Sequence, residues 1–172
     1  MSKSSIKGFT IIEVLVALFF LITITFAVIQ LVTRASQVAQ RAQEGFVAAN
    51  IAREGVELIR ARRDTQWFTD ADRSNWIPSQ MCDSPFTFDA ISLRNRYGVT
   101  VGGAGDLYIA SNGEWSHTPS DTTTPYKRVL EVDCSEKDGD PGFVTTTSRV
   151  TWVSRGESRE VVLKEKLYNW LP

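Results

Sequence analysis

The chain has 172 residues and a formal net charge of −1, and 42% of its residues are hydrophobic. This length suits one domain with an appendage, and the ordinary apolar fraction excludes a disordered chain and a collagen-like repeat. Residues 65–172 carry eleven Lys and Arg against fifteen Asp and Glu, a net charge of −4. This acidity argues against a nucleic-acid surface driven by bulk charge, so we predict no nucleic-acid partner.

An apolar segment lies near the N-terminus. No charged residue occurs from Val14 to Thr33, and a helix over residues 14–33 is about 30 Å long, which matches a bilayer core. A cleaved secretory signal has a shorter apolar run of about 7–15 residues. The longer run passes into Arg34 without a turn-forming residue, which favours a retained transmembrane helix. Lys3 and Lys7 precede it, so the positive-inside rule places the N-terminus in the cytoplasm.

The predicted helix continues beyond the apolar run to about Asp64. No Pro and only two Gly, Gly45 and Gly55, occur between residues 9 and 77. Small or apolar residues then recur at heptad-like spacing, which predicts a seam for close packing. The seam comprises Ala35, Val38, Ala42, Gly45, Ala49, Ala52, Val56 and Ile59. The opposite, charged face comprises Arg34, Arg41, Glu44, Arg53, Glu54 and Arg60. Two helices with a break near Thr33 are the alternative.

A single acid, Glu13, stands at the start of the apolar run. A carboxylate at membrane depth costs about 2.5–3.5 kcal/mol on insertion scales. A cationic group in the same dry layer would offset that cost, so we interpret Glu13 as a group that seeks a partner. The alternative is an interfacial acid that reaches the cytoplasmic headgroups.

The segment Lys7-Gly8-Phe9-Thr10-Ile11-Ile12-Glu13, followed by the apolar run, resembles the N-terminal signal of type IV pilins and pseudopilins. The resemblance implies that a prepilin peptidase cuts between Gly8 and Phe9, removes residues 1–8 as a leader, and that Phe9 is then N-methylated. It also implies that Glu13 meets the N-terminal amine of a neighbouring filament subunit. Many major pilins carry Gly and Pro within this helix. Residues 21–30 carry neither, which fits a minor pilin or a pseudopilin better.

We expect residues 65–172 to form an extracytoplasmic β-rich head, with Trp67 and Phe68 marking the helix exit. Strand-forming segments occur at residues 85–88, 97–101, 106–110 and 126–134. Residues 148–154 and 158–168 alternate about a turn at Arg155-Gly156-Glu157 and predict a hairpin. Its apolar face comprises Val150, Trp152, Val161 and Leu163. That face needs a cover, which the helix seam can supply. The predicted fold is therefore α+β and pilin-like: one long N-terminal helix over residues 9–64, packed against an antiparallel sheet.

Few residues of the head suggest chemistry. Cys82 and Cys134 are expected to pair as a disulfide in an exported domain, with two unrelated thiols as the alternative. His117 is interpreted as a solvated loop residue, and no nucleophile motif accompanies it. Residues 136–140 suggest a surface turn rather than a Ca²⁺ site with Asp133. Trp115, interpreted as lying in a polar loop, is the candidate for ligand contact. We predict neither enzymatic activity nor a cofactor or metal.

The expected function is that of a minor pilin, a structural subunit of a type IV pilus. Its partners would be other pilin subunits, the prepilin peptidase and methyltransferase, the inner-membrane assembly platform and, before assembly, membrane lipid. It would lie in the cytoplasmic membrane first and in an extracellular filament afterwards. Three alternatives stay open: a pseudopilin of a type II secretion or DNA-uptake machine, a pilus-tip adhesin, and a membrane-anchored binding or enzymatic ectodomain that keeps its N-terminus uncut.

Overall fold

The computed structural model describes residues 8–69, 76–82, 84–94, 100–101, 103, 105–119, 122–139 and 142–169. The chain divides into two compact units, Met1–Gln43 and Glu44–Pro172. A single helix, α1, runs over Ile11–Thr69 and belongs to both units. This confirms one long helix and shows that the alternative of a break near Thr33 was wrong.

The helix ends later than predicted. Trp67 and Phe68 lie inside its last two turns, not at an exit after Asp64. The guanidinium carbon of Arg63 lies 4.7 Å from the Trp67 ring, and the rings of Trp67 and Trp76 are 6.3 Å apart. These contacts give the last turns of α1 tertiary partners, which stabilise helical residues beyond the point that composition alone indicates.

Short elements and an antiparallel sheet follow α1. They are a 3₁₀ helix over Ser79–Met81, β1 over Phe86–Thr87, α2 over Ala90–Arg94, β2 over Thr100–Val101, β3 over Asp106–Ile109, β4 over Trp115–Ser116, β5 over Thr122–Asp133, β6 over Phe143–Ser154 and β7 over Glu157–Tyr168. Within the described ranges the sheet has seven strands. One edge of β5 pairs with β6, which pairs with β7, and its other edge pairs with β3 and β1. The fold is thus α+β, as predicted.

The predicted hairpin is present and longer than expected. β6 and β7 pair without interruption from Ser154 opposite Glu157 to Phe143 opposite Tyr168. The turn has two residues, Arg155 with φ 52° and Gly156 with φ 83°. Two left-handed residues are the signature of the turn type whose twist matches that of paired strands. The other four predicted strand segments all contain a strand, although residues 95–99 lie outside the described residues.

In the second unit, Glu44–Pro172, here called the head unit, the buried side chains among the described residues form two clusters. The first joins the end of α1 to the sheet and comprises Leu58, Ile59, Trp67, Trp76, Ile77, Met81, Phe86, Phe88, Leu130, Val132, Val144 and Leu167. The second comprises Ala48, Ile51, Ala52, Leu107, Tyr126, Val150 and Trp152. The predicted core positions of Val150 and Trp152 are confirmed, and Trp67 is buried as well. Leu163 was expected to face the core, but it is 37% exposed.

The seam on α1 is partly as predicted. Ala52, Val56 and Ile59 are buried, whereas Ala49 is exposed and Ala48 is buried in its place. Both positions are alanine, and both fit a heptad-like spacing between Gly45 and Ala52, so the sequence could not distinguish them. In the N-terminal unit the predicted seam residues Ala35, Val38 and Ala42 are exposed.

The charged face of α1 was assigned too broadly. Glu54 forms an ion pair with the fully buried Arg128, with 3.5 Å between Oε1 and Nη1. Arg60 forms an ion pair with Glu165 of β7. Both side chains therefore contact the sheet, because long charged side chains can reach past a seam to partners on a neighbouring element.

Candidate functional site

The N-terminal part of α1 exposes its large apolar side chains on every face. Between Phe9 and Val32 their exposed fractions range from 47% for Val16 to 82% for Ile11. A helix on the surface of a soluble domain is apolar along one stripe only, so a helix apolar all round requires an apolar environment. By length and composition α1 is able to cross a membrane.

The hydroxyl groups within this segment are satisfied by the helix itself. Thr23, Thr25 and Thr33 each donate a hydrogen bond to the carbonyl four residues earlier, at 2.9, 2.7 and 2.9 Å. A hydroxyl bonded within its own helix needs no water, and this makes three threonines compatible with an apolar environment.

The first turn of α1 carries the one acidic residue of the N-terminal unit, Glu13. The Thr10 carbonyl accepts hydrogen bonds from the backbone N–H groups of Glu13 at 3.1 Å and Val14 at 3.3 Å, and Thr10 Oγ1 lies 3.4 Å from the Glu13 nitrogen. Thr10 thus caps the helix, and Glu13 lies near the positive end of the helix dipole. The start of the helix at Ile11 therefore stabilises the carboxylate of Glu13, independently of any partner.

A shallow groove of about 320 Å³ runs along the same face of the helix. It is lined by Phe9, Glu13, Val14, Ala17, Leu18 and Leu21. Glu13, Ala17 and Leu21 are spaced by four residues, which places them on one face of α1. Phe9 precedes the helix and lines the same groove. The Glu13 carboxylate is the only charged group among these lining residues.

Gly8 precedes the helix and lies outside regular secondary structure. A Cβ at this position would meet no heavy atom within 4 Å. No packing contact in the described part of the chain therefore requires glycine at this position.

The head unit contains a buried cation that sequence reasoning missed. Arg128 of β5 is 0% exposed, and its Nη2 donates a hydrogen bond to the Phe88 carbonyl at 3.0 Å. Its Nη1 lies 3.4 Å from the Ile51 carbonyl and faces Glu54. Burial raises the pKa of Glu54, although the guanidinium opposes that shift. Arg128 thereby links α1, the segment after β1 and the sheet through one side chain.

The signal for Arg128 was present in its strand. Alternation in β5 places it on the same face as Tyr126, Leu130 and Val132, all of which are buried. An arginine on the core-facing side of an alternating strand predicts a buried ion pair, since such a charge must be paired.

His117 and Asp89 form a second polar cluster beside β3. Asp89 accepts backbone hydrogen bonds from His117 at 2.9 Å and Ser92 at 2.8 Å. Burial acts to raise the pKa of Asp89, but these hydrogen bonds outweigh it and bring the pKa below its usual value. The His117 Nδ1 lies 2.8 Å from the Asp106 carbonyl. Because a carbonyl only accepts, Nδ1 carries the proton.

The expected loop position of His117 is confirmed, but the expectation of a solvated side chain was wrong. His117 is half-buried, and burial lowers its pKa. It lines a cavity of about 250 Å³ together with Thr87, Gly103, Gly105, Asp106, Tyr108 and Pro119. Within the described residues no cluster of three His, Cys, Asp or Glu side chains could hold a metal ion.

The other predicted residues fall as follows. Cys82 and Cys134 are joined by a disulfide, with 5.5 Å between their Cα atoms, which confirms the predicted pairing. Trp115 lies in β4, not in a loop, and its ring packs edge-on against Tyr126 at 6.1 Å. Trp115 therefore packs against the second cluster, and this contact explains its position without a ligand. Residues 135–139 form turns, as predicted, and Asp140 lies outside the described residues.

Comparison of the chain with protein-family models, characterised proteins and solved structures finds no match.

Proposed function

We propose that this protein is a structural subunit of a type IV pilus, of the minor pilin kind, that assembles through the N-terminal part of α1. The observation that carries the proposal is the single carboxylate of Glu13 within a helical surface that is otherwise apolar and exposed. The resemblance of residues 7–13 to the pilin signal supports the same function.

The apolar surface has two successive environments in this proposal. Lipid surrounds it while the subunit waits in the cytoplasmic membrane, with the N-terminus in the cytoplasm. Neighbouring helices replace lipid when the subunit enters an extracellular filament. Helix association within an apolar medium depends on packing and on polar pairs, so the side chains from Phe9 to Val32 supply contact area and Glu13 supplies the polar pair.

Glu13 acts as the register-setting group. Cleavage after Gly8 by a prepilin peptidase would create a cationic amine on Phe9, four residues before Glu13 and in the same groove. An unpaired charge in a dry layer costs about 2.5–3.5 kcal/mol on insertion scales. The amine of one subunit and the carboxylate of its neighbour therefore offset each other's cost, and only the matching axial position allows the pair.

Mass spectrometry of the intact protein from its native host tests the processing step. We expect loss of residues 1–8 and one added methyl group on Phe9. In the variant Gly8→Arg we expect the leader to be kept, because the resemblance places the peptidase cut directly after Gly8. No packing contact involves this position, so the substitution should not disturb the fold. Gly45→Ala, a helix substitution into open space, is the control and should be processed normally. A working form that retains all 172 residues would refute the proposal.

The variant Glu13→Gln tests the assembly step. It keeps the shape of the side chain and removes the charge. We expect unchanged membrane insertion and a strong loss of the subunit from sheared filaments, measured by immunoblot of both fractions. Thr25→Val, which removes a hydroxyl bonded only within α1, is the matched control and should assemble. Wild-type incorporation of Glu13→Gln would contradict the role of Glu13.

A further inference from the structure

β7 is a long edge strand. Among the described residues its twelve members pair with β6 only. The two-residue turn makes Ser154 and Glu157 a hydrogen-bonded pair, so odd-numbered residues of β7 direct their backbone groups toward β6. The even-numbered residues from Ser158 to Tyr168 direct theirs away from the sheet, and such a row can pair with another strand.

Four of the six charged residues of β7 are arranged with opposite signs about Val162, whereas Glu157 falls opposite Leu167 and Lys166 opposite Ser158. Reading outward from Val162, Val161 corresponds to Leu163, Glu160 to Lys164 and Arg159 to Glu165. In an antiparallel pair of two identical strands centred on Val162, these are the residues that lie directly opposite each other. Each opposite-charge pair then forms twice, because a two-fold axis passes through the centre.

We infer that β7 is a docking surface for β7 of a second copy of this chain, in an antiparallel register centred on Val162. Cross-strand pairs of opposite charge and of apolar residues stabilise such a pairing, while like charges oppose it. The Val162 register places apolar residues at the centre and opposite charges on both sides. The two copies would share one continuous antiparallel sheet.

Other registers lack this complementarity. Only even-numbered residues direct their backbone groups outward, so even residues lie opposite even residues and odd residues opposite odd residues. The two-fold axis therefore passes through a residue and never between two residues. Centring on Val161 places Glu157 opposite Glu165. Centring on Glu160 or on Lys164 places that charge opposite its own copy. Centring on Leu163 keeps one opposite-charge pair, Glu160 with Lys166, and places Val161 opposite Glu165.

The exposure of the central residues supports the inference. Val162 is 38% exposed and Leu163 is 37% exposed. Pairing would remove part of this apolar surface from water, and the outward backbone groups of Val162 would bond to those of the copy.

The ion pairs that β7 already forms compete only weakly with the ion pairs to a second copy. Glu160 pairs with Arg149 of β6 at 2.8 Å, and Glu165 pairs with Arg60. Arg159 pairs with Glu157 at 2.8 Å. These pairs are partly exposed and therefore weak, and each carboxylate can accept further donors. Charged residues on edge strands often prevent pairing. Here their signs are ordered so that the same strand attracts its copy.

This contact differs from the helix packing of the proposed function. An isologous contact closes on itself, so it joins two subunits and cannot build a filament. The inference depends on β7 alone, and its test can fail or succeed whatever happens to Phe9 and Glu13.

Site-specific cross-linking of the full chain in detergent micelles tests the register. Val162→Cys adds one thiol at the centre, since both natural cysteines are already paired. Opposing residues in a hydrogen-bonded pair have Cα atoms about 5.5 Å apart, within disulfide range. We expect rapid formation of a covalent dimer under mild oxidation.

Ser158→Cys is the matched control. It is exposed and lies on the same face of β7, but its two copies would be about 27 Å apart in this register. Alone it should form no covalent dimer, and mixed with Lys166→Cys it should form the mixed covalent dimer. Equal cross-linking rates for Val162→Cys and Ser158→Cys would overturn the inference.

Charge exchange tests the attraction without a covalent bond. Lys164→Glu places Glu opposite Glu160 twice, and we expect its dimer dissociation constant to rise about tenfold, measured by sedimentation in micelles. The double variant Glu160→Lys/Lys164→Glu restores opposite charges and should regain the wild-type constant. Equal constants for wild type and Lys164→Glu, or a double variant as weak as the single one, would refute the pairing.

Discussion

Gly55 of α1 lies so close to β6 that a Cβ on this glycine would be 2.5 Å from the Ser148 Oγ. The same Cβ would lie 2.8 Å from the Leu130 Cδ2 of β5. The backbone of α1 therefore contacts the side chains of the sheet directly, and only glycine permits that approach. Gly45, ten residues earlier, has no heavy atom within 4 Å of the corresponding position.

We expect Gly55→Ala to lower the free energy of unfolding of the head by about 1–3 kcal/mol, because an added methyl group forces packed neighbours apart. Gly45→Ala should raise it by about 0.5–1 kcal/mol, since alanine is the better helix former. Urea unfolding of the full chain in micelles, followed by tryptophan fluorescence, measures both. A Gly55→Ala protein at least as stable as the wild type would show that α1 can move away from the sheet freely.

We expect Arg128→Met to destabilise the head by about 3–5 kcal/mol, because it leaves Glu54 half-buried without its cation. Glu54→Gln should cost less, since Arg128 keeps its bonds to the Ile51 and Phe88 carbonyls. Arg149→Met breaks an exposed pair with Glu160 and should cost at most about 1 kcal/mol. The same unfolding assay compares the three. Similar losses for Arg128→Met and Arg149→Met would mean that burial of Arg128 adds nothing.

Elements with strong local patterns could be predicted from the sequence. The long helix follows from an uninterrupted stretch without Pro, and the β6–β7 hairpin from alternation about Arg155-Gly156. The boundary at Thr69 could not be predicted, because the contact between Trp67 and Trp76 that supports the last turn joins residues on two different segments. Tertiary contacts of this kind override the local composition.

Short elements and polar contacts were the least predictable. β4 has two residues and pairs with β3, so no periodicity could mark it. Trp115 was consequently assigned to a polar loop. His117 is half-buried and bonds to Asp89 and Asp106, which lie 28 and 11 residues away, so no local pattern could indicate these contacts. The Glu13 motif, in contrast, was fully visible in sequence, because its chemistry is local and its surroundings are uniformly apolar.

We expect acidification to reveal the burial of His117. Burial lowers its pKa below the ordinary value of 6.5, so the folded state binds fewer protons than the unfolded state. The stability linked to His117 is complete above pH 6.5 and is lost as the pH falls below it. Relative to the variant His117→Gln, the wild type should therefore lose stability between pH 7.5 and about pH 5.5. Thermal melts of both proteins across this range measure the difference.

Asp89 does not interfere in that range. Its pKa is below the usual 3.8, so the stability linked to Asp89 is lost only in more acidic solution. Other carboxylates titrate alike in the wild type and in His117→Gln, and the comparison cancels them. Parallel pH profiles for the two proteins would show that His117 binds its proton equally well in the folded and unfolded states.

We expect removal of the disulfide to loosen the segment before β1. Cys82 follows Trp76 and Ile77, which are buried in the first cluster, and Cys134 follows β5. The two cysteines are 52 residues apart in sequence, and closing a loop of this length restricts the unfolded chain by about 4 kcal/mol in the chain-entropy model. The double variant Cys82→Ala/Cys134→Ala should lose stability on this scale in urea unfolding. A reductant should bring the wild type to the stability of the variant and leave the variant itself unchanged. If the reduced wild type instead unfolds at the same urea concentration as the oxidised protein, the disulfide contributes no stability.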